Sequence, residues 1–309
     1  MAVLRRERYT VRMTIKEALQ TAGKQLQPRK ITCAADRNLG HLEAEILLAH
    51  VLKRDRAWLH AHGEKVFSAQ FSVHFKKLIA RRRKHEPIAY ILGEKEFYGR
   101  QLKMTRGVLI PRPETELLVD LAKERVAADE RLLFWDVGTG CGAVGVTLAL
   151  EFPHATVLAT DSSSRAIELA NENAQRYEVA DRMHFLRANR LDKTLERLIE
   201  RHLRRYRLPL VVLGNLPYLP RTDARRLPAD IIRYEPKQAL FGGQDGLEII
   251  RAYLEQLAAS PFEPRVMWLE FDPPAASRLR RLALKLFPRA NLRIHKDLAR
   301  RNRVLEIRP

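Results

Sequence analysis

The sequence predicts an α/β protein, with a largely parallel sheet covered by helices on both faces and a small helical domain before it. Three observations predict it. After Arg131, short apolar runs alternate with helix-length segments, the rhythm of consecutive β-α-β units. The first of those runs leads straight into the glycine-rich segment Gly138-Thr-Gly-Cys-Gly142. Before residue 86, apolar residues recur at helical spacing instead.

Composition sets the outer bounds. The chain has 309 residues, 46% hydrophobic and 30% charged, which suits about two folded domains and excludes a disordered chain. No uncharged apolar run approaches the roughly 18 residues that a membrane span needs. Lys and Arg number 56 against 37 Asp and Glu, a formal charge of +19. That excess favours anionic partners: nucleic acid, ribonucleoprotein or an acidic protein surface. Cys33 and Cys141 are too few for a disulfide framework and lack metal-ligand spacing, so no metal is expected and a reducing compartment fits.

The elements follow in order. Residues 1–13 carry Arg5, Arg6, Arg8 and Arg12 against Glu7 and read as a basic, flexible extension. A transit peptide there would be very short. Residues 14–85 read as a helical domain. Leu42, Ile46, Leu47, Ala49, His50 and Leu52 keep helical spacing in the run His41–Leu52. A second helix covers Ala69–His85 and ends in the basic run Arg81–Lys84, which suits a helix C-terminus. That run reads as a solvated helix end or as a contact to an anionic surface. Residues 86–113 read as a connector holding a short β-hairpin, because β-forming residues alternate there with Gly and Pro. Pro113 can open a helix over Glu114–Ala127, since a first-turn proline loses no internal hydrogen bond.

The region 114–309 holds seven candidate strands: Leu132–Val137, Thr156–Thr160, His184–Leu186, Leu210–Leu213, Arg265–Glu270, Asn291–His295 and Val304–Ile307. Ser164–Arg176 is a helix between two of them. Lys193–Arg207 reads as an amphipathic surface helix, with Leu195, Leu198, Ile199, Leu203 and Tyr206 inward and Arg197, Arg201, Arg204, Arg205 and Arg207 outward. A parallel sheet of this kind binds ligands at the carboxyl ends of its central strands.

Two such strand ends carry chemistry. Gly138, Thr139, Gly140, Cys141 and Gly142 follow an apolar strand and precede a helix, whose first N–H groups lack internal partners. Glycine lets the backbone turn tightly and approach a ligand. Alone, the loop is also readable as an ordinary tight turn. Asp161 stands 19 residues past Gly142 at the tip of the next strand, where a carboxylate accepts from ribose hydroxyls. The pair argues for an adenosine-containing ligand. Asn189, after the third strand, has an amide oxygen suited to an adenine amine, and reads equally as a plain surface residue.

The second strand end is Asn215-Leu-Pro-Tyr218. A planar amino group on an sp² carbon donates two hydrogens and is a poor nucleophile. The Asn215 side-chain oxygen and the Leu216 carbonyl are two acceptors able to hold those hydrogens. Pro217 shapes the turn, and Tyr218 offers an aromatic face for stacking. The plainer reading is a proline-containing turn.

Together, Gly138–Gly142, Asp161 and Asn215–Tyr218 resemble the class I S-adenosylmethionine-dependent methyltransferases that modify planar amino groups. Further segments resemble one family, the peptide chain release factor N5-glutamine methyltransferases: Tyr90-Ile-Leu-Gly93, Glu96-Phe-Tyr-Gly99, Leu109-Ile-Pro-Arg-Pro-Glu-Thr-Glu116, the helical run Glu43–Leu52, and Tyr234-Glu-Pro-Lys-Gln-Ala-Leu-Phe-Gly-Gly-Gln-Asp-Gly246. The resemblance covers roughly residues 14–309. It implies a Rossmann-like seven-stranded methyltransferase sheet over 114–309 and a substrate-recognition role for the N-terminal helical domain. It implies a cytoplasmic enzyme that uses S-adenosyl-L-methionine to methylate the glutamine of a release factor's Gly-Gly-Gln loop. Position by position, Gly138–Gly142 would bind the methionine and ribose, Asp161 the ribose, and Asn189 and Arg190 would border the adenine. Asn215, Leu216, Pro217 and Tyr218 would hold the substrate amide, Asn215 also bordering the cofactor.

The sequence departs from the family at several places. Leu216 replaces a proline, which keeps the carbonyl acceptor and drops the fixed φ. Asn189 and Arg190 stand where an acid and often an aromatic are usual. Phe271-Asp-Pro-Pro274 follows Glu270 in place of a glycine, and Arg300-Arg301 replace another. Two other readings stand beside the first. One is an adenine-N6 methyltransferase acting on RNA or DNA, since adenine has the same planar amine. The other is a non-catalytic member of the family that contacts ribosome or RNA through its basic surface.

Overall fold

The computed structural model describes residues 13–27, 36–189, 191–205 and 207–309. Its contacts divide the chain into two units, Met1–Leu92 and Gly93–Pro309. The division falls inside the stretch read as a connector. Ile88–Leu92 is a short helix of the first unit, and the hairpin opens the second.

The first unit is helical: Ile15–Leu26, Asp36–Leu52, Arg56–Ala61, Ala69–Arg83 and Ile88–Leu92. Its core is Ile15, Leu19, Leu47, Leu48, Leu59 and Phe75 with their neighbours. Thr14 opens the first helix with a reciprocal cap: its hydroxyl accepts from the Glu17 amide, and the Glu17 carboxylate accepts from the Thr14 amide. The basic run at the end of Ala69–Arg83 is more than a solvated helix end. Arg82 grips the buried Glu43 through two hydrogen bonds of 2.7 and 2.8 Å, and Arg81 grips Glu86 at 2.6 and 2.9 Å. Paired in this way, those two guanidiniums tie the helix to its neighbours within the unit.

The second unit begins with the hairpin β1 (Glu94–Phe97) and β2 (Arg100–Lys103), turned by Tyr98 and Gly99, both at positive φ. The main sheet holds β3 (Leu133–Val137), β4 (Thr156–Asp161), β5 (Met183–Arg187), β6 (Leu210–Gly214), β7 (Val266–Glu270), β8 (Asn291–Lys296) and β9 (Asn302–Arg308). Each lies within two residues of a strand read from the sequence. The order is β5-β4-β3-β6-β7-β9-β8. β5 to β7 are mutually parallel, while β9 runs antiparallel to both β7 and β8. β3, β6 and β7 are buried throughout, which is why they read as near-continuous apolar runs.

The helix predicted from Glu114 begins as a tight turn over Pro113–Thr115 and continues as Glu116–Arg125. Ser164–Arg176 is helical as read, capped by Ser163. The Lys193–Arg207 segment departs from expectation. It is α-helical only over Lys193–Glu200, and a π-helical turn takes over at Arg201–Arg205; Tyr206 lies outside the described residues. Within that turn His202 meets His184 of β5 at 3.1 Å. None of the described helices is long and apolar enough to cross a membrane.

The strand order positions the site. From β3 the chain moves outward to β4 and β5, then returns to β6 on the other side of β3. The crevice at such a reversal lies outside the carboxyl ends of the two central strands. Here those ends are Gly138 and Asn215.

Candidate active site

A cleft of about 600 Å³ opens at the carboxyl ends of β3, β4 and β6. The glycine loop forms its floor. The Gly138 and Thr139 amides donate to the Thr160 carbonyl at 2.8 and 2.9 Å, which turns the chain over the end of β4. Gly138, Gly140 and Gly142 sit at φ of 73°, 57° and 84°, left-handed values that favour glycine. A Cβ on Gly140 would meet nothing within 4 Å, so its open side faces free space.

Asp136, one residue before the end of β3, ties the loop down. Its Oδ2 accepts from the Thr139 hydroxyl at 2.6 Å and from the Gly145 amide at 2.9 Å. Burial pushes its carboxyl up to about 6. Asp161 sits at the tip of β4, where Oδ2 accepts from the Gly140 amide and Oδ1 from the Ser163 amide. Burial raises its pKa, and those backbone donors work against the rise. Cys141 lines the cleft, but burial pushes its thiol up to about 12, so it stays neutral and unreactive. Its carbonyl accepts from Asn173.

The opposite wall comes from the loop after β6. The Asn215 Nδ2 donates to the Thr115 hydroxyl at 2.8 Å, the Thr115 hydroxyl donates to Glu270 Oε2 at 2.7 Å, and the Tyr218 hydroxyl donates to Glu270 Oε1 at 2.9 Å. Glu270 ends β7 and is 1% exposed. Burial raises its pKa, and the two hydroxyls and the Arg303 charge oppose that rise. Burial and the Glu270 charge raise the Tyr218 phenol, which stays protonated. The loop rests on backbone. A Cβ on Gly242 would lie 2.3 Å from the Pro217 carbonyl, and one on Gly246 would lie 2.3 Å from the Tyr218 carbonyl. Leu216 reaches across to the other loop, its Cδ2 3.3 Å from where a Gly138 Cβ would stand.

Two further segments close the rim. Glu235 accepts from the Ile110 amide at 3.2 Å and from Arg112 at 2.7 Å. That clamp joins Leu109–Pro111 to Pro236–Ala239, and both stretches contribute cleft residues.

Of the residues singled out in the sequence, Gly138, Thr139, Gly140, Cys141, Asp161, Asn189, Asn215, Leu216 and Pro217 all line the cleft. Gly142 does not; it begins the helix Ala143–Glu151 and abuts Ala170. Tyr218 is not a lining residue either; its hydroxyl points to Glu270. Arg190 lies outside the described residues. Sequence reasoning missed roles for Asp136, Thr115, Glu270, Gly242 and Gly246. The available signal for the two acids was a carboxylate in the last two positions of an otherwise apolar strand, an arrangement too costly to bury without partners.

The donor set fits an adenosine-type ligand. The helix Ala143–Glu151 begins at the cleft floor, Gly140 leaves room for close approach, and Asp161 keeps a lone pair beyond its backbone donors Gly140, Ser162 and Ser163.

Sheet order, glycine loop and acid together define a class I methyltransferase. The hMettl16 catalytic domain, solved in complex with MAT2A 3'UTR hairpin 6, shares this fold with a TM-score of 0.53 at 14% identity, covering 75% of this chain and 81% of that one. Two family models match: the PrmC N-terminal domain over residues 17–93 and the methyltransferase small domain over residues 113–200. The release factor glutamine methyltransferase of Coxiella burnetii is 37% identical over 79% of this chain and 80% of its own length. That of Bacillus anthracis is 33% identical over 95% of this chain and 98% of its own. The chain belongs to the release factor glutamine methyltransferase family.

Proposed function

We propose that the protein transfers a methyl group from S-adenosyl-L-methionine to the N5 nitrogen of the glutamine in the Gly-Gly-Gln loop of a peptide chain release factor. The observation that carries this reading is the orientation of Asn215. Its Nδ2 is spent on Thr115, which leaves Oδ1 as the free acceptor of a side chain that lines the cleft. Thr147 Oγ1 alone is buried without a partner among the described side-chain polar atoms, so Asn215 Oδ1 is not sealed away. An acceptor there suits an amide NH₂, and family membership supports the substrate.

When bound, the cofactor supplies a sulfonium-bound methyl group, whose carbon–sulfur bond breaks as the new carbon–nitrogen bond forms. The protein's part is placement. Gly138–Cys141 and Asp161 hold the donor side of the cleft, with Asn189 and Arg190 assigned to the adenine. Asn215 Oδ1 and the Leu216 carbonyl take the two amide hydrogens and leave the nitrogen lone pair directed at the donor side. Pro217 and Tyr218 shape that holder. Positioning of this kind contributes on the order of 7–11 kcal/mol in the best-oriented systems. The acceptors also stabilise positive charge as it grows on the nitrogen. Solvent takes the proton that the nitrogen loses. The helical unit is assigned to recognition of the release factor body, and the reaction to the cytoplasm.

The test offers labelled cofactor with native release factor, its Gly-Gly-Gln→Gly-Gly-Ala variant, and total tRNA and rRNA in separate reactions. Label on the native factor and none on the variant is the expected result. Label on RNA alone would transfer the activity to adenine and give the +19 charge a direct use. No label anywhere, with no cofactor binding, would leave the non-catalytic reading.

A further inference from the structure

We infer that Thr115 and Glu270 form a relay that sets which end of the Asn215 amide faces the substrate. This rests on the reading of Asn215 as the amide acceptor. A side-chain amide is two-faced. Rotation by half a turn exchanges an acceptor for a donor of almost the same shape. Only the outward oxygen can receive a substrate N–H; an outward NH₂ would meet it donor to donor. A holder of this kind therefore needs something that fixes the rotation.

The chain Asn215–Thr115–Glu270 does so by proton count. A hydroxyl has one proton. An ionised carboxylate only accepts. Thr115 stands 2.7 Å from Glu270 Oε2, so its proton must go there. The Thr115 oxygen then has only lone pairs for its other neighbour, 2.8 Å away, and that neighbour must be the Asn215 NH₂. The amide oxygen is left outward. The direction of the whole chain follows from the charge at its inner end.

Burial works against that charge, and the groups around the carboxylate oppose burial. Tyr218 from the β6 loop donates its hydroxyl proton to the second carboxylate oxygen at 2.9 Å. Arg303 from β9 adds a positive charge nearby, and Glu114 from the Pro113–Thr115 turn opposes it. Glu270 is 1% exposed and does not line the cleft, so it acts through Thr115 and is a positioning residue. A neutral group at 270 would leave the direction of the chain unfixed. A glutamine could donate its own NH₂ to Thr115, whose proton would then turn to Asn215 and draw the amide oxygen inward.

Three variants test this. Thr115→Val keeps the shape and removes the hydroxyl. Thr115→Ser keeps the hydroxyl. Glu270→Gln keeps the shape and removes the charge. Each is assayed for methyl transfer to release factor, for cofactor Kd, and by NMR of the Asn215 side-chain NH₂, assigned through its loss in Asn215→Ala. We expect kcat to fall by about tenfold to a hundredfold in Thr115→Val and Glu270→Gln, below the cost of removing a direct contact. Cofactor Kd should hold within about threefold, and Thr115→Ser should restore kcat. The Asn215 NH₂ signals of Thr115→Ser should match those of the native protein, while those of the other two variants shift. Native kcat in Glu270→Gln, or a Thr115→Ser loss as deep as that of Thr115→Val, would overturn the relay. Unmoved Asn215 signals in Thr115→Val and Glu270→Gln would overturn it too, even if the native protein methylated no release factor. Absence of methyl transfer by the native protein would instead sink the substrate assignment, with the NMR result still deciding the relay.

Discussion

The two loops that face each other across the cleft are secured in opposite ways. Each is braced by a buried carboxylate. For the glycine loop it is Asp136, in the strand that leads into the loop, reaching Thr139 three positions on and Gly145 nine positions on. For the Asn215 loop it is Glu270, on the neighbouring strand, reaching Tyr218 across 52 positions and Thr115 across 155. The first loop is a local device, held by partners within about 35 residues along the chain. The second is assembled by tertiary folding from four distant pieces: residues 113–115, 215–218, 242–246 and 270. The glycine loop can be preformed wherever β3, its helix and β4 form. The Asn215 loop is in place only once β6 and β7 have paired and the turn at 113–115 has docked on them.

The difference explains what the sequence made legible. The strand, glycines and acid that identify the cofactor side lie within Leu133–Asp161, so spacing alone brings them together. All seven strands of the sheet were readable for a related reason: apolar runs between turn signals report burial directly. Asn215 was legible because a polar residue at the end of a buried strand is expensive without a use. Thr115, Gly242 and Gly246 were not, because nothing local marks their role. Gly242 and Gly246 sit under two carbonyls of a loop some 25 residues earlier in the chain. The fate of Tyr218 was invisible as well. Its ring suggested stacking on substrate, yet its hydroxyl is committed to Glu270. The early end of the Lys193–Glu200 helix had no warning either, since Leu203 continues the apolar spacing past it.

The sharpest break of the comparison is a change that disables one loop and spares the other. Asn215→Ala should lower kcat by about 10²–10³-fold, the range for loss of one directed transition-state contact. Cofactor affinity, held by the opposite loop, should stay within a few-fold. Single-turnover methyl transfer and a calorimetric cofactor titration on the same preparation make the measurement. Equal losses in both would show that the two loops do not work separately.

A second contrast sets glycine against glycine. Gly246→Ala places a methyl 2.3 Å from the Tyr218 carbonyl at a φ of 77°. Backbone cannot yield as a side-chain tip can, so the holder must shift, at about 1–3 kcal/mol of stability. Gly140→Ala has a similar left-handed φ of 57° with nothing within 4 Å, and strain alone costs about 1–2 kcal/mol. The activity profiles should separate more cleanly than the stabilities. Gly246→Ala should lose kcat and keep cofactor Kd, whereas Gly140→Ala should weaken the cofactor and leave single-turnover chemistry near native at saturation. Thermal unfolding with and without cofactor, beside the two kinetic constants, distinguishes them; the same pattern in both variants would erase the contrast.

A third contrast concerns the braces. Both donors to Asp136 reach one oxygen, Oδ2, whereas Glu270 receives a hydroxyl on each oxygen. Burial raises both carboxyls, and it pushes that of Asp136 up to about 6 from an ordinary value of 3.8. The sign of its effect on stability follows. Below about pH 4 both the folded and unfolded chains carry the proton. Between about 4 and 6 the folded protein keeps a proton that the unfolded chain has released, so stability contributed by this group falls as pH rises. Above about 6 the loss is complete, at about 3 kcal/mol relative to acid. Asp136→Asn keeps an oxygen for Thr139 and Gly145 and removes the titration. Urea unfolding of both proteins at pH 4.5, 6 and 7.5 should therefore show the variant gaining on the native chain as pH rises, with most of the gain made by pH 6. A difference that stays flat across the three pH values would mean that the glycine loop accommodates the Asp136 anion without cost.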